Sequence, residues 1–249
     1  MPSRLILLET STALCSTALA EDGKVVCTRR SDEPRSHASV TAPFVKEMLN
    51  ECGWTVSGCD AVCVSKGPGS YTGLRVGVST AKGLCFGADR PLIAVDTLEV
   101  LASQAIGAGC MPEGCAGILP MVDARRMEAY AAVFSPEGLR LSEIAPVILE
   151  EGSFGELFAK GPVVVIGDAA GKFAALKCPD GQGPKVAAGA PVTPVPIGGH
   201  RYIQCCPEAS AMLVPAMRRY AKKEFEDVAY FEPLYIKEFT ATVSRKKLF

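Results

Sequence analysis

Neither sign of charge is in excess in these 249 residues: 26 Lys plus Arg stand against 27 Asp plus Glu, a net charge of −1. Without surplus cations to release the counterions of a phosphate backbone, autonomous binding to naked nucleic acid is not expected. No apolar run approaches the eighteen residues of a membrane span. The opening MPSRLILLETST offers only Leu5–Leu8 before Glu9, too short for a secretory core, so the chain is expected to be neither exported nor membrane-spanning. No C-x-x-C pair occurs among eleven cysteines, and several, such as Cys59 and Cys63, sit inside apolar runs. Reduced thiols acting as small hydrophobes in a cytoplasmic protein are the expectation. Only two histidines are present, His37 and His200, and no H-E-x-x-H, which argues against a metallopeptidase. No fixed-period repeat is visible.

With 48% apolar and 21% charged residues the chain is globular rather than disordered. Its length lies where one core tends to divide into two. Leu5–Leu8 reads as a strand, and Cys15–Ala20 and Val25–Arg30 flank Asp22-Gly23 as a hairpin. Between Ser36 and Cys52, Val40, Phe44, Val45, Met48 and Leu49 recur at helical intervals. Pro43 there requires either a kink or a start near Thr41. CDAVCVS (59–65) reads as a buried strand, Gly73–Gly87 as a helix and PLIAV (91–95) as a strand, with Asp96 and Glu99 forming a capping box for a helix to Ile106.

The Gly-, Pro- and Cys-rich stretch 107–115 marks a boundary between an N-terminal lobe, 1–106, and a C-terminal lobe, 107–249. The second lobe repeats the α/β pattern through ILPMVDA, MEAYAAVF, a hairpin partner at 139–149, a short helix at 153–159 and the strand 162–168. Residues 178–204 read as an irregular excursion. A last helix from about Pro207 carries Ala209, Met212, Leu213, Ala216, Met217 and Tyr220 on one stripe, bent at Pro215. The basic residues Arg218, Arg219, Lys222 and Lys223 suit its negative pole, and the closing SRKKLF reads as a frayed tail.

The most informative segment is SKGPGSYTGLRVGVSTAKGL (65–84), a glycine turn between a strand and a helix. Gly67, Pro68, Gly69, Ser70, Thr72, Gly73 and Arg75 form a degenerate phosphate-loop-like set. Its spacing is neither G-x-G-x-x-G nor the Walker pattern, and Ser70, Tyr71 and Thr72 read as turn and cap residues rather than nucleophiles. Glycines at 73, 77, 83 and 87 each cost about 1 kcal/mol in a helix, which points to close approach by another helix.

The order ILLETSTALCSTAL (6–19), His37 followed by Pro43, CDAVCVSKGPGSYTGLRVGVSTAKGL (59–84), PLIAVDTLEVLA (91–102), VDARRMEAYAAVF (122–134), IGD (166–168) and EPLYIKEF (232–239) resembles the TsaB (YeaZ) family. The resemblance spans nearly the whole chain. It implies a two-lobed fold of the actin, Hsp70 and sugar-kinase (ASKHA) type, with duplicated ribonuclease-H-like domains. It also implies a non-catalytic subunit of the bacterial machinery that makes N6-threonylcarbamoyladenosine (t6A) at position 37 of tRNAs reading ANN codons. The implied partners are the catalytic subunit TsaD and the ATPase TsaE. The tRNA would be held only indirectly, through the complex, and in the absence of the partner the same helix surface could form a homodimer.

TsaD carries a metal-binding histidine pair after its GPG segment; the matching positions here are Thr97 and Leu101, so no metal and no cofactor are expected. Glu9, Asp123 and Asp168 become degenerate cleft carboxylates, with Arg125 and Arg126 pairing with them or reaching a partner. His37 is assigned a structural or interface role, and His200 none. The partner interface is expected on the first two helices, through Val40, Phe44, Val45, Met48, Gly73, Leu74, Gly77, Val78 and Ala81. The rival reading is a free-standing phosphotransferase with ATP between the lobes.

Overall fold

Strand β1 (Arg4–Glu9) is buried from Leu5 onward, so it runs down the middle of a sheet and has no wet face. It pairs antiparallel with β2 (Cys15–Glu21), which turns back through Asp22 (φ 50°) and Gly23 (φ 74°) into the exposed edge strand β3 (Lys24–Ser31). Two successive left-handed residues make the tight hairpin that Asp-Gly announces. Helix α1 (His37–Glu51), β4 (Ala61–Gly67), α2 (Tyr71–Ala88) and β5 (Leu92–Asp96) complete a sheet of order β3-β2-β1-β4-β5, with β4 and β5 parallel to β1. This computed structural model describes residues 3–178 and 194–236.

After α3 (Thr97–Gly107) come β6 (Gly117–Asp123), β7 (Glu128–Ala131), β8 (Ala145–Ile148), α4 (Gly155–Phe158), β9 (Val163–Gly167), α5 (Ala170–Lys177), β10 (Val195–Ile197) and β11 (His200–Gln204). The second sheet has the order β10-β11-β9-β6-β7-β8. Read from its other edge, β8-β7-β6-β9-β11 repeats the order and directions of the first sheet, with β10 added. A 3-10 turn (Ala209–Met212) leads into α6 (Leu213–Lys222).

Alternation along the strands sorts the first core into two layers. Ile6, Leu8, Val62 and Val64 meet Val45 and Met48 of α1 and Val78 and Ala81 of α2. Leu5, Leu7, Cys63 and Ile93 face the other way, onto Val100 of α3 and Met212, Leu213 and Ala216 near the end of the chain. Leu98, Leu101 and Ala105 of α3 pack on Ile118, Val122 and Ile166 of the second sheet, so α3 is shared. The two sheets lie on either side of residues 107–115, while α3 packs on both. Residues 209–236 return to the first sheet, with 209–220 covering the Leu5 face and Val228 and Phe231 packing on the Ile6 face: Ala209 N donates to Ser16 Oγ (2.8 Å), Glu226 N to Leu92 O (2.9 Å) and Leu234 N to Lys66 O (2.7 Å).

Four expectations are corrected. Helix α1 begins at His37 and runs through Pro43, leaving Ser39 O without the usual i+4 donor. Pro215 is the third residue of α6, where a missing N–H costs nothing, so it demands no bend. Part of the excursion 178–204 is a hairpin, β10 and β11 around Gly198-Gly199, which adds β11 to the sheet beside β9; residues 179–193 lie outside the described residues, as does SRKKLF. The capping box at Asp96 does not form: Asp96 reaches Lys66 (3.6 Å) and Arg140 of the other lobe (3.2 Å), while Glu99 takes Arg219 (2.6 Å). Arg218 also lies 3.9 Å from Glu99 and Lys222 3.9 Å from Glu224, so three of the four basic residues near the end of α6 have acidic neighbours. All eleven cysteines are free thiols.

Candidate functional site

Two features qualify: a cleft between the lobes and the outer face of α1 and α2. The cleft encloses about 1,020 Å³. One wall is the loop after β1 with the turn before α2, contributing Ser11, Thr12, Pro68, Gly69, Ser70 and Gly73; the other is Val122–Arg125 with Asp168. The first wall is built by glycine. A Cβ on Gly69 would lie 2.2 Å from Ser11 O, one on Gly73 2.1 Å from Thr10 O, and one on Gly77 2.1 Å from Thr10 Oγ1. Thr10 Oγ1 donates to Gly73 O (2.8 Å) and Ser70 N to Ser11 O (2.7 Å), so the β1 loop lies directly on the start of α2. Ser70 caps that helix, accepting from Gly73 N at 3.3 Å, as its sequence position suggested.

Gly73 and Gly77 are thus small for the chain's own first loop and not for another helix. Gly83 and Gly87 are different: a Cβ at either meets nothing within 4 Å. Of the phosphate-loop-like set, Pro68, Gly69, Ser70, Thr72 and Gly73 line the cleft. Gly67 instead ends β4 at φ 115°, closed over by Leu234 O, and Arg75 points to the outer surface, its guanidinium 5.3 Å from the Tyr71 ring centre.

The three carboxylates do not converge as one open set. Glu9 is fully buried beneath the loop: Oε1 accepts from Ser11 N (2.7 Å) and Ser65 Oγ (2.9 Å), and Oε2 has no partner. Burial raises its carboxyl from 4.5 to about 7 against the pull of those hydrogen bonds. Asp168 does line the cleft, accepts from Asp123 N (2.7 Å) and is raised by burial to about 6. Asp123 accepts from Arg125 N (2.6 Å) and pairs with Lys172 Nζ (2.7 Å). Its oxygens hold the loop in which Arg125 (φ 70°) and Arg126 (φ 50°) are both left-handed. That conformation costs non-glycine residues about 1 kcal/mol or more each. Nothing in the sequence flagged Lys172, which also donates to Arg126 O and Glu128 O.

His37 Nε2 lies 2.9 Å from Thr12 O, tying α1 to the cleft wall. His200 Nδ1 accepts from Val163 N (3.2 Å) and its ring meets Phe158 edge-on, a structural role that sequence did not assign. Thr97 and Leu101, which the resemblance implied stand in place of a metal-binding pair, are both buried in the core. Among the described residues no cluster of three or more metal-ligating side chains occurs, and no helix is long and apolar enough to cross a membrane.

The interface set has to be divided. Val45, Met48, Gly73, Leu74, Gly77, Val78 and Ala81 are buried within the chain's own lobe, because an apolar helical stripe first serves the sheet beneath it. Val40 and Phe44 are half-exposed. The outer face of α2 is a different stripe of small residues, Thr72, Ser79, Gly83 and Gly87, beside Val76 and a Phe86 that is 87% exposed. An amphipathic pattern marks the inner face of such a helix and is silent about the outer one. Phe86 within an otherwise small-residue run was the available signal.

Two sheets of repeated topology facing one cleft define a two-lobed ASKHA-type protein, and YeaZ from Pseudomonas aeruginosa superposes on it with a TM-score of 0.73 at 25% identity, over 94% of this chain and 99% of that one. The family model for TsaD, tRNA N6-adenosine threonylcarbamoyltransferase, matches residues 31–150. The tRNA threonylcarbamoyladenosine biosynthesis protein TsaB of Escherichia coli K12 is 35% identical over 136 residues, 53% of this chain and 54% of that protein. Its namesake in Bacillus subtilis 168 is 32% identical over 142 residues, 57% and 59%. The chain thus spans little more than half the length of these curated relatives, and it is similar to the TsaB and YeaZ proteins in sequence and in fold.

Proposed function

We propose that the chain acts in t6A formation on tRNA as a non-catalytic cytoplasmic subunit, docking a TsaD-type threonylcarbamoyltransferase on the outer face of α1 and α2. The observation that carries this reading is on α2, where Gly83 and Gly87 face open space and Phe86 stands 87% exposed between them. An isolated helix face gains nothing from two glycines and an exposed phenylalanine. A partner helix gains both close backbone approach and an aromatic anchor. Val40 and Phe44 of α1 extend the surface. Near-neutral net charge suits a subunit that meets tRNA only through the complex. A TsaE-type ATPase engages the assembled pair, and without its partner the same face supports a homodimer.

The relatives' names support the pathway, and the sealed Glu9 and the Lys172-bound Asp123 support the absence of a reacting centre. The test is co-purification with the TsaD-type subunit together with reconstituted t6A formation. Phe86→Asp is expected to leave the chain folded, abolish pairing and stop modification; unchanged pairing overturns the assignment of the face. The cleft favours a second reading, a phosphotransferase, since its wall includes the start of an 18-residue helix. Mg²⁺-ATP binding by the isolated chain, lost in Asp123→Ala, would establish it.

A further inference from the structure

The outer face of α2 carries a hollow of about 350 Å³ walled by Tyr71, Thr72, Arg75, Val76 and Ser79. Its one charged wall is Arg75. That guanidinium lies over the Tyr71 ring at 5.3 Å, with Nη1 3.3 Å from the Tyr71 hydroxyl oxygen, and Tyr71 is backed by the ring of Tyr235 at 4.9 Å. Among the described residues Arg75 has no carboxylate within ion-pair distance. Arg4, Arg29, Arg30, Arg140, Arg218 and Arg219 all have one; Arg35, Arg90, Arg125, Arg126 and Arg201 share Arg75's lack among the described residues, but only Arg75 stands in the wall of this hollow. A guanidinium restrained over an aromatic ring, with one Nη1 hydrogen given to the Tyr71 hydroxyl, keeps its remaining N–H groups for a ligand and has surrendered part of its side-chain entropy in advance.

We infer that Arg75 is the charge anchor of the α2 face and selects a partner helix bearing an Asp or Glu that enters this hollow. This rests on the docking surface proposed above. The commitment to a carboxylate follows from the fork geometry, which matches a carboxylate bidentately. It also separates a foreign partner from a second copy of this chain. Helix α2 contains no Asp or Glu at all; its only charged residues are Arg75 and Lys82, and Lys82 is spent on Ala229 O (3.0 Å) and Phe231 O (3.1 Å). On α1, Glu47 and Glu51 are already engaged by Arg29. Self-pairing of α2 therefore brings arginine and no carboxylate from within the helix to the hollow, the first one being Asp89 just past its end, whereas an acidic partner helix satisfies it. Selectivity comes from both the attraction and the unmet cation in the wrong pair.

The experiment measures pairing with the TsaD-type subunit and self-association for the full chain, Arg75→Ala, Arg75→Lys and Gly83→Arg, at two salt concentrations. Arg75→Ala is expected to weaken the mixed pair ten- to hundredfold and to remove most of its salt dependence, with self-association unchanged or strengthened. Arg75→Lys should recover only part of the loss. Reversal of one acidic residue on the partner's helix should then lose no further affinity with Arg75→Ala and regain it with Arg75→Glu. If Gly83→Arg abolishes pairing while Arg75→Ala leaves it intact, the docking face stands and the anchor is refuted. If neither variant weakens pairing, the face itself is refuted. Equal loss of mixed and self-pairing in Arg75→Ala refutes the selectivity.

Discussion

Replacing glycines of α2 by alanine, one pair at a time, separates the two uses this helix makes of the residue. At Gly83 and Gly87 a Cβ enters open space, with no atom within 4 Å, so only intrinsic helix preference changes. Alanine is favoured over glycine by about 0.8–1 kcal/mol at each interior position. Gly83→Ala with Gly87→Ala should therefore stabilise the isolated chain by about 1.5–2 kcal/mol, raising Tm by about 3–8 °C for a domain of this size. At Gly77 the new methyl would sit 2.1 Å from Thr10 Oγ1, which is held by its bond to Gly73 O, and neither group moves without disrupting the cleft wall. A loss of about 2–4 kcal/mol is expected there. Urea unfolding followed by helical circular dichroism, run at several protein concentrations to separate self-association, reads both numbers. The stabilised pair should nonetheless bind the TsaD-type subunit more weakly, because two methyls hold the helices apart. Stabilisation without weaker binding would refute the claim that these glycines serve contact. Destabilisation would refute the open face itself.

The other expected outcomes follow from single contacts. Burial raises Glu9 to about 7, so its neutral form stabilises the fold fully below pH 4.5 and that contribution is lost as pH climbs through 7. Its ceiling is about 3 kcal/mol. Glu9→Gln, which keeps an oxygen for Ser11 N and Ser65 Oγ, should flatten that part of the stability–pH curve; an unchanged slope contradicts the buried-acid account. Asp123→Ala should release Lys172 and the Arg125 loop, giving faster hydrogen exchange over 123–128 with little change in overall Tm. Arg140→Ala leaves Asp96 with Lys66 alone at 3.6 Å and, since Asp96 is buried, should cost about 1–3 kcal/mol; a change under 0.3 kcal/mol would place that pair among inert surface contacts.

Strands and hairpins were legible because their signals are local. Asp22-Gly23 requires left-handed backbone and receives it, and the buried runs at 5–8, 61–64 and 163–166 fell where apolar residues cluster. What escaped the sequence is long-range. Asp96 and Glu99 have the spacing of a capping box, yet Arg140 and Arg219 lie 44 and 120 residues away and take both carboxylates. Gly73 and Gly77 share a four-residue spacing with Gly83 and Gly87, and only the Thr10 loop, folded back from β1, tells them apart. Seven of the nine expected interface residues are buried in their own lobe for a related reason. Periodicity finds the face a helix buries, and the lobe's own sheet has first claim on it.

Tyr71 joins the two candidate sites. It opens α2, lines the inter-lobe cleft, walls the outer hollow beneath Arg75 and stacks on Tyr235 of the returning C-terminal segment. That segment is anchored one residue away, through Leu234 N on Lys66 O. A side chain in that position cannot change rotamer for one site without changing the other. Any occupant of the cleft that displaces Tyr71 must alter docking on α2, and docking must alter the occupant's affinity by the same factor, because coupling between binding equilibria is reciprocal. Through Tyr71 the state of the cleft would thus be reported to a protein docked on the outer helices.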